Sequence, residues 1–565
     1  MSGKEVWLGR SGPIETRCRP SERGILPVVE LKIPLFLLMA LLRGPADGGG
    51  SYSNPIIPGN WSDPAVIRVG DDFYSACSTM GWQPGAAIMH SRDLLNWRYL
   101  GYAYRQHPEI PAGRTNAGGW GLEMGYNPNN KTYIVYAPLS NGRLYAHYSK
   151  DPAGPYKVKE MGRLGTDPGF FADEDGGLYL ILSERAVIWR LSDDGLSTRE
   201  KVAKIDKSGI KTFEGPDIFK RGSYYYLVYS GNGTAPHEGG CVGTMRAENL
   251  AGPWQRDPHN PQIVTDPAAE IQGPQHATLI RTNPGWWYVF YHAHELSYYS
   301  LGRQTCMQPV EWTDDGWWRL RAGPVPRRTC EKPDLAECDF RLAQSDEFDS
   351  RQLGPQWFFH CRPDYSGKSW SLSERPGHLR ITTGPGDISS IEALPCVFLQ
   401  RVIDKRFEFS TEVAFDAADG REAAGIHMYH DPQMNFWLVS TVRGGRKTIE
   451  VGKYSDGVRT DLWSVPNTIG NRVCLRITVD GAETASFHYG GDGKNWKKLG
   501  ESIYFGDSGR DLRSGRGGDP DLGWIGPGGR NKWTAATFGV FAVRDGAKKP
   551  KKAYFDYIRV KGQAK

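Results

Sequence analysis

Along residues 54–320 the apolar and polar positions repeat one phrase. Its clearest copy runs Asp63-Pro64-Ala65-Val66-Ile67-Arg68-Val69, turns at Gly70-Asp71-Asp72 and returns through Phe73-Tyr74. An acidic residue opens it, an apolar strand follows, then a polar turn, then an aromatic strand. The order recurs at Asp167-Pro168-Gly169-Phe170-Phe171 with Leu178-Tyr179-Leu180, and at Glu214-Gly215-Pro216-Asp217-Ile218-Phe219 with Tyr224-Tyr225-Tyr226-Leu227. It recurs from His276 to Ile280 with Trp286-Trp287-Tyr288-Val289, and more weakly at Trp120-Gly121-Leu122-Glu123-Met124 with Tyr133-Ile134-Val135-Tyr136. Two short runs joined by a Gly/Asn/Asp turn predict a hairpin. The marker aromatics Tyr74, Tyr133, Tyr179, Tyr225 and Trp287 are 59, 46, 46 and 62 residues apart, which leaves room for two further strands per copy. Repeats of about that length point to a solenoid or a propeller, and five four-stranded units fall within the range of about 4–8 blades. No long segment shows helical periodicity. The expected fold is all-β, with a five-bladed β-propeller over residues 54–320.

Residues 321–341 are rich in proline and charge and predict a linker. From 342 to 562 the pattern changes to short alternating runs: Leu379-Arg380-Ile381, Phe407 to Val413, Phe436 to Val439, Val473 to Val479, Phe538 to Val543 and Tyr554 to Val560. Many short strands between turns suggest a β-sandwich. Gly506 to Arg530 is glycine-rich and reads as a long surface loop. Residues 1–50 do not read as a folded domain. The apolar run 33–42 is too short to span a bilayer and fits the core of a secretory signal, so export to the periplasm or medium is expected, with a cytoplasmic protein as the alternative.

Composition narrows the function classes. A net charge of +5, from 69 basic and 64 acidic residues, gives a mixed surface with no pull towards nucleic acid or membrane. Nine scattered cysteines without a CxxC pair argue against a zinc site and against a disulfide framework. Cys330 with Cys338 is the one bridge considered, and free thiols are favoured. Aromatics at 12% serve a β core; they also suit a sugar site, because the C–H face of a pyranose packs on a flat ring.

In a propeller, equivalent positions of successive blades meet at the axis. The residues opening the copies are Asp63, Asp167, Glu214 and His276, so the fold gathers three carboxylates and a histidine in one pocket. A single such acid is read more simply as a turn cap, but three in register favour a site. Paired carboxylates are the machinery of glycosidic bond cleavage: one stays protonated to give the leaving oxygen its proton, and another is ionised to activate water or attack the anomeric carbon. A third acid nearby raises the first by like-charge repulsion.

Several ordered motifs now carry a family resemblance. Asn60-Trp61-Ser62-Asp63-Pro64, Thr166-Asp167-Pro168-Gly169-Phe170-Phe171 and Phe213-Glu214-Gly215-Pro216-Asp217 resemble the three acidic motifs of glycoside hydrolase family 43. Leu301-Gly302-Arg303-Gln304-Thr305 and Gln308-Pro309-Val310-Glu311-Trp312 resemble its late signature. Ser345-Asp346-Glu347-Phe348-Asp349, Leu353 to Trp357 and Trp370-Ser371-Leu372 are similar to the C-terminal, concanavalin-like sandwich of its β-xylosidase-like members. The resemblance implies inverting hydrolysis with Asp63 as general base, Glu214 as general acid and Asp167 tuning Glu214. It implies that Arg303 hydrogen-bonds the terminal sugar. For His276 it leaves two alternatives, a structural histidine or one that helps hold a hydrated calcium ion; no cofactor is otherwise required.

The sequence departs from the family at Trp120-Gly121-Leu122-Glu123 and at Gly81-Trp82-Gln83-Pro84-Gly85, which leaves the sugar open. Trp82 and Trp120 are candidate walls of the pocket. The expected activity is exo-release of xylose from β-1,4-xylo-oligosaccharides, with α-L-arabinofuranosidase as the alternative. The partner is therefore an oligosaccharide or polysaccharide, with no nucleic acid and no membrane. A fructan hydrolase fits less well, because that family's Asn-Asp-Pro-Asn-Gly and Glu-Cys-Pro stand here as Ser-Asp-Pro-Ala and Glu-Gly-Pro. A non-catalytic sugar binder is opposed by the presence of all three acids. Asn60-Trp61-Ser62 also matches a glycosylation sequon, but a glycan beside Asp63 would block the pocket and the match is read as chance.

Overall fold

The computed structural model describes residues 50–106, 119–139, 141–233, 238–282, 285–296, 298–361, 363–418, 421–455, 457–505, 534–546 and 549–562. The apolar run 33–42 and the loop Gly506 to Arg530 lie outside these residues. Among the described residues, no helix is long and apolar enough to cross a membrane.

Five sheets form the first half, one for each repeat of the sequence. Their innermost strands are Ser62–Val69, Glu123–Asn127, Pro168–Ala172, Glu214–Arg221 and Ile271–Arg281. Each pairs antiparallel with the aromatic strand predicted to follow it: Asp72–Ser78, Thr132–Pro138, Leu178–Leu182, Tyr224–Gly231 and Trp287–Glu295. Two further strands complete each sheet, and the fourth sheet carries a fifth strand, Ile263–Val264. Inner strands of neighbouring sheets touch all the way round, the first against the fifth included, which closes a five-bladed propeller. The middle strands are buried on both faces, whereas the outer strands Lys157–Gly162 and Thr198–Lys204 face solvent along much of their length. Large aromatics fill the wedge between blades because neighbouring sheets splay apart towards the rim. Phe219, Tyr226, Trp287 and Trp317 do this between the fourth and fifth blades.

The entry to the first blade is tied to the fifth. Ser51–Ser53 pairs with Thr329–Glu331, and the Tyr52 hydroxyl donates to the Met307 carbonyl at 2.6 Å. Cys330 and Cys338 are both free thiols; Cys330 packs under Asn54, and the Cys338 thiol approaches the Asn96 carbonyl instead. Asn60 is 1% exposed, so no glycan can occupy the first sequon.

The second half is a sandwich of two sheets. One is built around Phe407–Ala414, Arg472–Val479 and Thr484–Gly490, the other around Arg421–Asp431, Met434–Arg443, Arg446–Ser455 and Thr537–Asp545. Phe409, Leu475, Ile426, Leu438 and Val540 alternate inward between them to form the core. The run Tyr554 to Val560, read above as one strand, is two: Lys552–Phe555 and Arg559–Gly562. The chain breaks between them because the Asp556 N–H turns to the Glu412 carbonyl and Ile558 pairs with Asp346. Propeller and sandwich share a hydrogen-bonded pair of strands, Trp82–Gln83 with Phe359–His360.

Candidate active site

The polar end of the propeller axis is built from one backbone feature repeated five times. Asp63, Gly121, Asp167, Gly215 and His276 all take left-handed conformations, with φ of 54°, 52°, 45°, 48° and 50°. They stand at equivalent places, immediately before Pro64, Leu122, Pro168, Pro216 and Ala277. Such a conformation in a non-glycine residue costs on the order of 1–3 kcal/mol and gathers at functional sites. Three of the five fall within β-bulges, where the ladder shifts register between Ser62 and Ala65, Glu214 and Asp217, and Gln275 and Thr278. A bulge re-aims side chains that a regular strand would send elsewhere.

This corrects one expectation. Asp63, Asp167 and His276 are in register, but Glu214 is not: the position equivalent to theirs is Gly215, and Glu214 lies one residue earlier. The two glycines make room for the side chains. A Cβ on Gly121 would lie 2.0 Å from Asp167 Oδ1, and one on Gly215 would lie 2.7 Å from the His276 ring.

Asp63 is almost fully buried. Arg303 Nη1 donates to its Oδ1 at 3.0 Å, and the Gly121 N–H approaches Oδ2 at 3.3 Å. His276 Nδ1 is 3.8 Å from Oδ1. Burial alone would raise this carboxyl, but Arg303 first and His276 next hold it well below the usual carboxylate range. His292 also lies 3.1 Å from Oδ1. Burial pushes its imidazole down to about 3, so it is neutral, and its Nδ1 accepts the Asp63 backbone N–H at 3.1 Å. The fixed cation on Asp63 is therefore Arg303, itself 3% exposed.

The other two acids are pushed the opposite way. Burial raises Asp167, His276 partly offsets this, and the charge of Asp63 adds to it. Ser183 Oγ donates to Asp167 Oδ2 at 3.0 Å. Glu214 is half-buried and raised, by burial first and then by the like charge of Asp167. One pocket thus holds a carboxyl driven below its usual range and two driven above theirs, the division of labour that acid–base cleavage needs.

A second ring lies next along the axis. The residues two places beyond the left-handed positions are Ala65, Glu123, Gly169, Asp217 and Thr278. Four of them line a cavity of about 10 Å³ together with Asp63 and His276, room for about one water molecule. Glu123 and Asp217 are both buried here, and burial pushes Asp217 up to about 7. Burial, and then the Asp217 charge, raise Glu123 as well.

The tryptophans part company. Trp120 is half-buried beside Gly121 at the axis end of the second blade. Trp82 is 1% exposed and packs on Phe358, with ring centroids 4.8 Å apart, inside the contact between propeller and sandwich. Nothing in the sequence marks His292, Ser183 or the Glu123–Asp217 pair for the site; His292 lies in the strand Trp287–Glu295, which is buried along its whole length. Calcium takes about 6–8 oxygen ligands, and among the described residues no three His, Cys, Asp or Glu side chains are grouped to hold a metal ion. His276 faces Asp63 and the Gly215 backbone.

Known proteins agree with this architecture. Residues 52–318 match the family described as Glycosyl hydrolases family 43, and residues 345–561 match the Beta xylosidase C-terminal Concanavalin A-like domain. The non-reducing end α-L-arabinofuranosidase BoGH43B of Bacteroides ovatus is 28% identical over 420 residues, covering 71% of this chain and 78% of that protein. The xylan 1,3-β-xylosidase of a Vibrio species is 26% identical over 508 residues, covering 80% and 91%. The crystal structure of the GH43 protein BlXynB from Bacillus licheniformis superposes with a TM-score of 0.80 at 28% identity, covering 90% of this chain and 99% of that one. With both halves matched in order over the propeller and the sandwich, the chain belongs to glycoside hydrolase family 43.

Proposed function

We propose that this protein is an exo-acting, inverting glycosidase that releases xylose from the non-reducing ends of β-1,4-xylo-oligosaccharides. Asp63 is the general base on water, Glu214 the general acid on the leaving oxygen, and Asp167 keeps Glu214 protonated. Arg303 holds Asp63 ionised and hydrogen-bonds the terminal sugar. His276 orients the same sugar, and Trp120 walls the pocket. No step needs a metal ion in this reading.

The observation that carries it is the split between carboxyls in one pocket: Asp63 is driven down by Arg303, while Glu214 is driven up by burial and Asp167. Single displacement needs both forms at once. The base deprotonates water as it attacks the anomeric carbon, and the acid gives its proton to the departing glycosidic oxygen. Hydrogen bonds from a fixed arginine to the sugar strengthen as charge develops at the ring.

A second reading, α-L-arabinofuranosidase, is favoured by the similarity to the Bacteroides ovatus arabinofuranosidase. Comparing kcat/KM on xylobiose and on 4-nitrophenyl α-L-arabinofuranoside separates the two. A preference of about tenfold or more for xylobiose, about 1.4 kcal/mol of transition-state binding, supports the first reading. The reverse preference replaces it with the second.

A further inference from the structure

Arg401 ends the sandwich strand Val397–Arg401 and is 1% exposed. Among the described residues it has no carboxylate within ion-pair distance. Aromatic rings surround it instead: its guanidinium carbon lies 3.9 Å from the centroid of Trp61, 5.2 Å from Trp82 and 5.0 Å from Phe358. The hydroxyls of Tyr99 and Tyr102 stand beside it. A buried cation faced by π-systems is held electrostatically, yet it costs more than an apolar side chain of the same size. Folding alone gives no reason to prefer arginine there.

What the arginine touches supplies a reason. Its Nε–H donates to the Asn60 carbonyl at 3.1 Å, across 341 positions of sequence. The Asn60 side-chain oxygen accepts the Arg303 backbone N–H at 2.9 Å, and Arg303 Nη1 reaches Asp63 Oδ1 at 3.0 Å. The Trp61 N–H donates to the Arg303 carbonyl at 3.0 Å, and the Thr305 hydroxyl donates to the Trp61 carbonyl at 2.7 Å. The sandwich presses on the same segment independently: a Cβ on Gly59 would lie 2.6 Å from the Val402 carbonyl oxygen.

We infer that Arg401 is a positioning residue through which the sandwich domain sets the geometry of the Arg303–Asp63 pair. The inference rests on the reading of Asp63 as the general base. Arg401 fixes the Asn60–Trp61 backbone, Asn60 fixes the Arg303 backbone, and Arg303 fixes the carboxylate that must face the attacking water. Misplacement of a base by about 1 Å is enough to cost about 10²-fold in rate.

The test uses the full-length chain with xylobiose. Arg401→Met fills the aromatic cage without charge; losing the donor to the Asn60 carbonyl opposes the gain from removing a buried cation, so its Tm stays close to that of the parent. Its kcat is expected to fall by about 10²-fold with little change in KM, and the acidic limb of its pH profile to move towards neutral as Arg303 loosens from Asp63. Asn60→Ser leaves the cage intact and cuts the next link, and it is expected to show the same kcat loss and the same limb shift. The double variant loses no more than the larger single loss, because both break one chain. Parental kcat in Asn60→Ser overturns the inference whatever Arg401→Met does; so do losses that multiply in the double variant. Asp63→Asn separates the two readings: if it keeps parental turnover, the assignment of the base fails, whereas an inactive Asp63→Asn beside fully active Arg401→Met and Asn60→Ser defeats only the role of Arg401.

Discussion

Asp63 Oδ1 lies 3.0 Å from Arg303 Nη1, and both side chains are buried from solvent. Out of water such a pair is strongly coupled, and removing one partner leaves the other charge stranded. The pair therefore sets how acidic the pocket can become before the base is lost.

Arg303→Met should lower kcat/KM on xylobiose by about 10²–10³-fold, the equivalent of about 3–4 kcal/mol for a broken buried pair. Without the guanidinium, burial dominates Asp63 and its carboxyl rises, so the acidic limb of the pH profile moves to higher pH. A pH–rate series between pH 4 and pH 9 reads both effects. An unmoved acidic limb would mean that Arg303 does not hold the base ionised.

Glu214→Gln removes the transferable proton and keeps the shape. Turnover of xylobiose should fall by about 10²–10⁴-fold, the range expected for a general acid. An aryl xyloside, whose leaving group departs without help, should lose far less. Equal losses on both substrates would place Glu214 outside proton transfer.

Asp167 lifts Glu214 by like-charge repulsion, second only to burial. Asp167→Asn deletes that charge, so Glu214 gives up its proton at lower pH and the basic limb of activity moves down. Stopped assays across the basic limb measure the shift. A basic limb that stays in place or moves up contradicts the tuning role.

The buried axial pair titrates in folding as well. Asp217, held up to about 7 by burial, keeps its proton in the folded chain over a range in which the unfolded chain has lost it. That contribution to stability is fully present in acid, is lost as pH rises from about 4 to about 7, and is gone above. Asp217→Asn cannot ionise, so its gain in Tm over the parent should be larger at pH 8 than at pH 5. An equal difference at the two values would remove Asp217 as the titrating group.

The propeller was legible because each blade repeats one hairpin, and a defect in one copy is corrected by the others. Asp63, Asp167 and His276 followed from that register. Glu214 lies one residue before that register, because Gly215 takes the left-handed position that Asp63 takes in the first blade; both blades carry the same kind of bulge, and no local pattern reports the offset. In the sandwich the strands with one open or half-open face, such as Phe407–Ala414, alternate cleanly. Val397–Arg401 and most of Arg421–Asp431 are buried on both faces, against the core on one side and against the Trp82–Phe358 contact on the other. Both faces are buried there, polar residues such as Gln400 and His427 included, and period-two alternation disappears. Arg401 carries no signal in the sequence, because its partner Asn60 stands 341 positions away along the chain. Sequence spacing places residues within a blade; it does not report which loop another domain will press upon.

The central claim, a base and an acid acting on opposite sides of one sugar, is tested most directly by a proton NMR time course on xylobiose that watches which anomer appears before mutarotation. The account predicts α-xylose first, the product of a single displacement by water activated at Asp63. Early β-xylose would mean retention through a covalent intermediate and would contradict the roles given to Asp63 and Glu214.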